Sequence, residues 1–558
     1  MLTYFSKEEF SPGTLVEVMY GKNKILGIVL ASDPLKNMKE VVRTQDFQLR
    51  KINRVIEKEK IDSRIVEALQ KWSNEQYLPA GKVLTDIFPK WFWEFKNARI
   101  PVRQDLTTQN QILVRSCLTG YVEDNFNNRF VKYKKEIINH DTIWICIPSV
   151  LAIKKIQSLI KHDATYADYE LLSFHSTVAE QKQIKQYKSI DPHKKTIILS
   201  TPYYFGLFHS TADLIIYENT GDDGYTLGQK YTYDALSLFQ TICSKNTNYI
   251  YGGDLLPLSF NPTKNKATLQ FTGYTKENTR HSELFVSEHI EKQFLDDVSK
   301  DKNILLVTQY KDNNIKIVCN DCKTTVTCPT CKLALHTLVK NGASYFHCRF
   351  CKKSYKSNVK CTTCQSWNLT ALGINTKTIK EYLASHPLAL PGEGRGEVVV
   401  TSLSESEKYT AKEFDSVYVI SIDGLMHSPH FATEEKIVRT LLKTQEVGIK
   451  LYVQTSFPFP NILSAIKNIT LEKWKKEELN KRKQYQYPPF GTLYTITVGA
   501  IRDQKLLNKI QEQCDQQGIL HIDTLYRMTI YSDSKNRSKV EAMLREYRES
   551  SLVIKVNR

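Results

Sequence analysis

Eight of the 12 cysteines lie between Cys319 and Cys364, and no other feature restricts the fold as strongly. They form four C-x-x-C pairs: Cys319 with Cys322, Cys328 with Cys331, Cys348 with Cys351, and Cys361 with Cys364. Two residues between ligands let one tight turn aim both sulfurs at a common point, and four thiolates complete the tetrahedron that structural Zn²⁺ prefers. Two structural Zn²⁺ ions are therefore expected as cofactors. Four pairs can be divided between two ions in three ways. The inner pairs, Cys328/Cys331 and Cys348/Cys351, enclose 16 residues, a zinc-ribbon spacing, which leaves Cys319/Cys322 and Cys361/Cys364 as the outer site. Sequential pairing would ask Lys323 to Thr327 to return the chain across one ion, so nested pairing is favoured. With every position filled by cysteine, neither ion keeps an open site for water, and His336 and His347 are not needed as ligands.

The remaining sequence has the balance of packed domains. Its 558 residues are 41% hydrophobic and 25% charged, enough for about three to five domains. Lysine and arginine total 77 against 60 acidic residues, a net +17, which favours a polyanionic partner, nucleic acid first. Clustered cysteines fit metal in a reducing compartment better than disulfides. The longest apolar run, Ile143 to Ile153, is 11 residues and contains Pro148, whereas a membrane-spanning helix needs about 20. Met1 to Phe10 carries Lys7, Glu8 and Glu9 and has no export-signal pattern. A cytoplasmic location and no membrane partner are expected.

Hydrophobic periodicity sets the organisation. TLVEVMYGKNKILGIVL, residues 14–30, reads as a hairpin opening a small β domain. Ile65, Val66, Leu69 and Trp72 recur at helical spacing, and a second helical segment ends near Phe88-Pro89. From about residue 100, runs such as TIWICIPSV, KTIILST, ADLIIYE and NYIYGG alternate with longer polar segments, the pattern of a parallel sheet covered by helices. VVVTSL and SVYVISID resume it after the cysteines, so the zinc region is an insert between two α/β halves. Leu471 to Gln484 reads as a helix ended by Pro488-Pro489, with i,i+4 pairs Glu472/Lys476, Glu477/Lys481 and Glu478/Arg482 on a solvated face. The end alternates as strand, helix, strand, helix, strand.

The cysteine block CNDCKTTVTCPTCKLALHTLVKNGASYFHCRFCKKSYKSNVKCTTCQS and the downstream QYQYPPFGTLY resemble the PriA family (primosomal protein N′), the replication-restart helicases of bacteria. SPGTLVEVMYGKNKILGIVL looks like that family's domain for DNA 3′ ends, and WSNEQYLPAGKVLTDIFP like its winged-helix segment. The resemblance covers nearly the whole chain and implies a multidomain α/β protein. Its parts would be an N-terminal β domain (1–60), a winged-helix-like unit (61–98), a first RecA-like half (99–265), a second with the zinc insert 319–364 (266–450), and a C-terminal α+β domain (451–558). It also implies nested zinc binding. In the N-terminal domain Tyr4 would stack on a terminal base, Gly21 would let the chain approach it, and Lys39 would touch phosphate. The family's Phe-Asp before that tyrosine is replaced by Leu2-Thr3.

The helicase motifs depart from the family. No segment satisfies G-x-x-x-x-G-K-[ST], whose amides, lysine and hydroxyl hold ATP and Mg²⁺. LVRSCLTGYVEDN stands in its place, with Tyr121 following Gly120. The acidic Asp-Glu-Glu-His box is reduced to Glu218 in LIIYENTGDDGY, Gly-Ser-Ala-Thr-Pro becomes Gly252 to Pro257, and the arginine box becomes KTQEVGIK, Lys443 to Lys450. Asp222, Asp223 and Asp254 read as solvated loop carboxylates. No catalytic or nucleotide-binding residue is therefore assigned. The expected protein binds forked or branched DNA and single-strand ends and recruits replication factors such as a helicase loader, a single-strand-binding protein or other primosome components, without hydrolysing ATP. Two other readings stay open: an active ATP-dependent 3′-to-5′ helicase with diverged motifs, and a zinc-ribbon protein-interaction module.

Overall fold

The computed structural model describes residues 4–557 apart from 35–49, 95–118, 192, 210, 230, 243–247, 260–267, 273–282, 288–290, 310–315, 331–333, 341–342, 349–352, 357–358, 373–374, 386–395, 404, 410–412, 421, 423–424, 426–429, 456–460, 464–465, 467–470, 499–503, 525–526 and 548–551. At the N-terminal end, Leu15–Tyr20 (β1) and Asn23–Ile28 (β2) form the expected hairpin, and Arg54–Glu57 (β3) completes an antiparallel sheet in the order β2-β1-β3. Three helices follow, Ser63–Glu75 (α1), Ala80–Ile87 (α2) and Lys90–Glu94 (α3). The Asp62 side chain caps α1 by accepting from the Arg64 amide, and the helix buries Ile65, Val66, Leu69 and Trp72, the positions whose spacing marks it in the sequence. These helices have no core of their own. Leu69, Trp72, Phe88 and Trp91 share one apolar cluster with Trp144, Phe174 and Phe239 of the next unit.

That unit is built on a wholly parallel sheet. Its elements are Thr119–Glu123 (β4), Phe126–Ile137 (α4), Thr142–Cys146 (β5), Val150–His162 (α5), Glu170–Phe174 (β6), Glu180–Lys188 (α6), Thr196–Ser200 (β7), Leu214–Tyr217 (β8), Ala235–Ile242 (α7), Asn248–Gly253 (β9) and Thr268–Thr272 (β10). Seven strands lie in the order β10-β4-β9-β8-β5-β7-β6. β5, β7 and β8 are buried at every residue. The reason is that one face of the sheet packs on α1 to α3 and the other on α4 and α5, so central strands need apolar residues on both sides.

The second parallel sheet contains Glu283–Ser287 (β11), followed by Glu291–Ser299 (α8) and Ile304–Thr308 (β12). An antiparallel sheet interrupts it: Lys316–Cys319 (β13), Leu335–Lys340 (β14), Ala343–Cys348 (β15), Ser354–Tyr355 (β16) and Leu369–Leu372 (β17), in the order β16-β15-β14-β13-β17. Thr376–Ser385 (α9), Val398–Ser402 (β18), Phe414–Ile420 (β19), Thr433–Val447 (α10) and Gly448–Gln454 (β20) complete the lobe, with parallel order β11-β20-β19-β12-β18. Two sequence boundaries need correction. β10 pairs with β4 and β20 with β19, so the first sheet runs past residue 265 and the second past 450. TLQFT and GIKLYVQ intersperse polar residues and lack the continuous apolar runs of central strands, which hides them in the sequence.

Leu471–Gln484 (α11) matches its predicted bounds and leads to Thr492–Thr497 (β21), Gln504–Gln517 (α12), His521–Thr524 (β22), Arg527–Ser532 (β23), Arg537–Arg545 (α13) and Val553–Asn557 (β24). The sheet order is β22-β23-β21-β24, a ferredoxin-like βαββαβ unit with one more strand, β22, than the sequence pattern suggests. Tyr494, Ile496, Met528, Ile530 and Ile554 pack on Leu507, Ile510, Val540 and Leu544, in a cluster that also holds Tyr77 and the zinc-sheet residues Ile317, Val326 and Leu335. Tyr77 meets Tyr494 edge-on at 6.3 Å between ring centroids, and its hydroxyl donates to the Glu541 carbonyl at 3.2 Å.

The expected solvated face of α11 is present at Glu472, Lys476 and Lys481 and is corrected at one pair. Glu478 and Arg482 are buried, and Arg482 bridges Glu478 at 3.0 Å and Glu435 of α10 at 2.8 Å. Lys475 pairs with Glu123 at the end of β4. The helix is a strut between lobes, with Lys475, Lys481 and Arg482 reaching partners elsewhere in the chain. No helix among the described residues is long and apolar enough to cross a membrane.

Candidate functional site

The outer cysteines converge. The Sγ atoms of Cys319, Cys322, Cys361 and Cys364 all lie within 4.8 Å of one another, with Cys319 to Cys364 and Cys322 to Cys361 at 3.5 Å. A Zn–S bond of about 2.3 Å gives a tetrahedron with edges of about 3.8 Å, close to these separations, whereas a disulfide brings sulfurs to about 2 Å. The four residues fit a tetrahedral metal ion. Two equivalent turns aim them. In the first, the Cys319 amide donates to Thr324 O at 2.9 Å and the Lys323 amide to Cys319 O at 2.9 Å; in the second, the Cys361 amide donates to Ser366 O at 2.9 Å and the Gln365 amide to Cys361 O at 3.0 Å. Lys323 and Gln365, each following the second cysteine of its pair, adopt left-handed φ of 58° and 60°. Backbone donation from Cys364, then the Thr324 hydroxyl, pulls the Cys361 thiol down to about 5. A thiolate is the form that binds metal.

The inner pairs are described in part. Cys328 and Cys348 are buried in the same cluster, and Cys331 and Cys351 lie outside the described residues. The Cys348 amide donates to Lys353 O at 2.9 Å, the same five-residue closure that the outer turns use. His347 is turned away to Ser354 Oγ at 2.9 Å.

The cleft between the two parallel sheets is arranged differently from a phosphate-binding loop. Gly120 lies inside β4, paired with Ile250 and Leu269, and the turn into α4 is only Asp124 and Asn125. Two of the amides at the start of α4, a ready anion site in principle, are already taken. Asn125 Oδ1 accepts from the Asn128 amide at 3.0 Å, and Glu446 Oε1, from α10 of the second lobe, accepts from the Phe126 amide at 3.2 Å. Behind them stands Arg129, with its side chain 3% exposed. It donates to Glu218 Oε1 at 2.6 Å, to Asp254 and to the Asp124 carbonyl. Tyr133 Oη donates to the other Glu218 oxygen. A Cβ on Gly252 would fall 1.6 Å from that hydroxyl, so only glycine admits this contact.

The titration of the cluster follows from its burial. Desolvation opposes charge on Asp254, but Arg129 and Lys443 hold it below its ordinary value. Burial, and then the Asp254 charge, push Glu446 well above its ordinary value. Asp222 pairs with Lys443 at 2.9 Å and Asp223 with Lys436. The expectation of solvated carboxylates holds for Asp223, whose side chain is 78% exposed beside Lys436, and is corrected for Asp254, buried against Arg129, and for Asp222, largely covered beside Lys443 of the opposite lobe. Glu446 and Lys443 stood in the sequence inside KTQEVGIK, where the missing arginine drew attention away from them. Arg129 and Tyr133 carried no motif at all.

Beside the N-terminal sheet, in a short strand that pairs with Arg50 and Lys51, the half-buried Tyr4 donates its hydroxyl to the Met19 carbonyl at 2.8 Å. That anchor lies two residues from Gly21, whose φ of 60° satisfies a two-residue turn and beside which a Cβ would meet open space. Tyr4 and Gly21 are thus brought together. Lys39 lies outside the described residues.

Two parallel-sheet lobes, the second interrupted by an antiparallel sheet whose four converging cysteines fit a metal ion, define the class of this protein. Within that class the chain is similar to replication restart protein PriA. It is 21% identical over 244 residues to PriA of Synechocystis sp., which covers 38% of this chain and 29% of the relative, and 20% identical over 310 residues to PriA of Bacillus subtilis, covering 48% and 38%. The matches thus span about a third of those relatives' length. No protein-family model matches. Among solved structures, Mss116p bound to ssRNA and AMP-PNP covers 77% of this chain and is itself covered to 86%, at 11% identity and a TM-score of 0.31.

Proposed function

We propose that the chain is a DNA-binding protein of the replication-restart type that holds forked or branched DNA and recruits other replication proteins without hydrolysing ATP. The observation that carries this reading is the occupied start of α4. Asn125 and Glu446 take two of the amides that a phosphate would need, and a buried carboxylate cluster stands where phosphate charge would arrive. Bringing polyphosphate beside Asp124, Glu218 and Asp254 sets like charges together in a poorly hydrated place. The net charge of +17 and the similarity to PriA support DNA as the partner. In this reading two Zn²⁺ ions are bound in nested fashion, the second by Cys328, Cys331, Cys348 and Cys351. The α1 to α3 unit serves as a winged-helix-like DNA element, the two lobes are RecA-like, and Tyr4, Gly21 and Lys39 line a pocket for a DNA end.

The test is a nucleotide titration and an ATPase assay on forked DNA, with and without Mg²⁺. Fork binding that weakens steeply with salt and does not respond to ATP is expected. Fork-stimulated hydrolysis that disappears in Glu218→Gln would refute the reading and favour a working helicase.

A further inference from the structure

The QYQYPPF segment after α11 marks the family resemblance, yet nothing in the zinc centre or the cleft uses it. Its two outer tyrosines belong to an aromatic strip that joins three parts of the molecule. Tyr485 lies 6.0 Å from Tyr487 between ring centroids, Tyr487 lies 5.9 Å from Phe431 ahead of α10, and Tyr487 lies 6.1 Å from Tyr531 on β23. The Tyr485 ring is 60% exposed. A ring of that size left in water at the end of an otherwise well-packed helix contributes little to the fold.

The backbone is bent to present these rings. The helix ends with the Tyr487 amide donating to Arg482 O at 2.8 Å and the Gln486 amide to Lys483 O at 3.4 Å, the closure that normally places glycine in the left-handed position. Here that position holds Gln486, at φ 52°. A strained non-glycine residue between two aromatic side chains is the kind of local cost that persists at working surfaces.

Cations flank the strip. β23 alternates, with Met528 and Ile530 in the core, so Arg527 and Tyr531 share the opposite face of the sheet with Lys555, which the register aligns beside Thr495 on β21. Burial first, then the charges of Lys555, Arg527, Arg482 and Lys436, push the His430 imidazole next to Phe431 below its ordinary value, the response expected inside a positive field. The acidic groups facing Lys555 are Asp223 and Asp234, and Asp223 is paired with Lys436.

Exposed rings flanked by cations are the means by which proteins hold unpaired nucleotides, bases stacking on rings and phosphates meeting cations. We infer that the exposed ring of Tyr485, backed by the half-buried Tyr487, Phe431 and Tyr531 and flanked by Arg527 and Lys555, forms a stacking site for single-stranded DNA. The inference rests on the DNA-binding reading above and deepens it: a strand bound here touches the second lobe, the end of α11 and the C-terminal sheet together.

The test uses the intact protein with a fluorescent oligothymidylate and a blunt duplex at several salt concentrations. Tyr485→Ala should weaken oligothymidylate binding by roughly 5- to 150-fold, the loss of one stacked base, while Tyr485→Phe keeps it and blunt-duplex affinity stays unchanged. Arg527→Ala should reduce the slope of log affinity against log salt by about 0.7, one phosphate contact on a single strand. Parental affinity and slope in both alanine variants, or an equal loss on blunt duplex, would overturn the surface while leaving DNA binding itself intact. A parent protein that binds neither DNA would overturn the functional reading, and this inference with it.

Discussion

Replacing Arg129 by alanine removes the one cation that faces both Glu218 and Asp254. All three side chains are no more than 4% exposed, so water cannot substitute for the guanidinium, and two carboxylates are left without their cation. Breaking a buried pair in this way costs about 3 to 5 kcal/mol, a large part of the roughly 5 to 15 kcal/mol that holds a domain together. In urea that loss should lower the midpoint of the first lobe by about 1 to 3 M, and the fluorescence of Trp144, buried in the same sheet, should follow it. Without Arg129, burial is left to raise the Asp254 carboxyl. The stability a raised carboxyl contributes is present at low pH and lost as pH rises, so the deficit should shrink on acidification. Removing all three charges together, with Arg129→Met, Glu218→Gln and Asp254→Asn, should recover most of the loss. An Arg129→Ala protein within about 0.5 kcal/mol of the parent, the range of an ordinary surface change, would refute the claim that this cluster is a structural interlock.

Two further outcomes are expected. Cys361→Ser should lose one zinc ion by elemental analysis and unfold the antiparallel sheet locally, because a structural site of this kind supplies on the order of 10 kcal/mol of folding free energy; unchanged metal content would remove Cys361 from the ligand set. His209 is fully enclosed, and burial brings its pKa down to about 4, so it folds neutral. Stability should be flat above about pH 6.5 and fall by about 3 kcal/mol as pH drops toward about 4, and His209→Gln should flatten that decline in an acid titration followed by circular dichroism.

The sequence carried some of this molecule plainly and some not at all. The C-x-x-C pairs announce the outer metal centre because ligand spacing is a local property: one turn places both sulfurs, and the same turn recurs at Cys319 and Cys361. Central strands such as TIWIC and TIILS are equally legible, since burial on both faces leaves a continuous apolar run. β10 and β20 were misjudged because strands with polar positions interspersed resemble linkers. The interlock escaped notice for another reason. Arg129, Glu218, Asp254 and Glu446 lie far apart in the chain, and each alone reads as a charged residue on a helix or loop; only folding reveals that they share one dry site. α11 shows the same limit, because its i,i+4 charges look self-sufficient until Glu435 and Glu123 arrive from elsewhere.

The contact between Tyr77 and Glu541 spans 464 positions. A ribosome adding about 5 to 20 residues per second needs roughly 20 to 90 s to deliver the second partner after the first. During that interval the helices on either side of the tyrosine can already dock on the first parallel sheet, but its ring still lacks Tyr494 to pack against. Removing the C-terminal sheet would therefore uncover one ring at the opposite end of the sequence, at Tyr77, while leaving the helices around it seated on the first lobe.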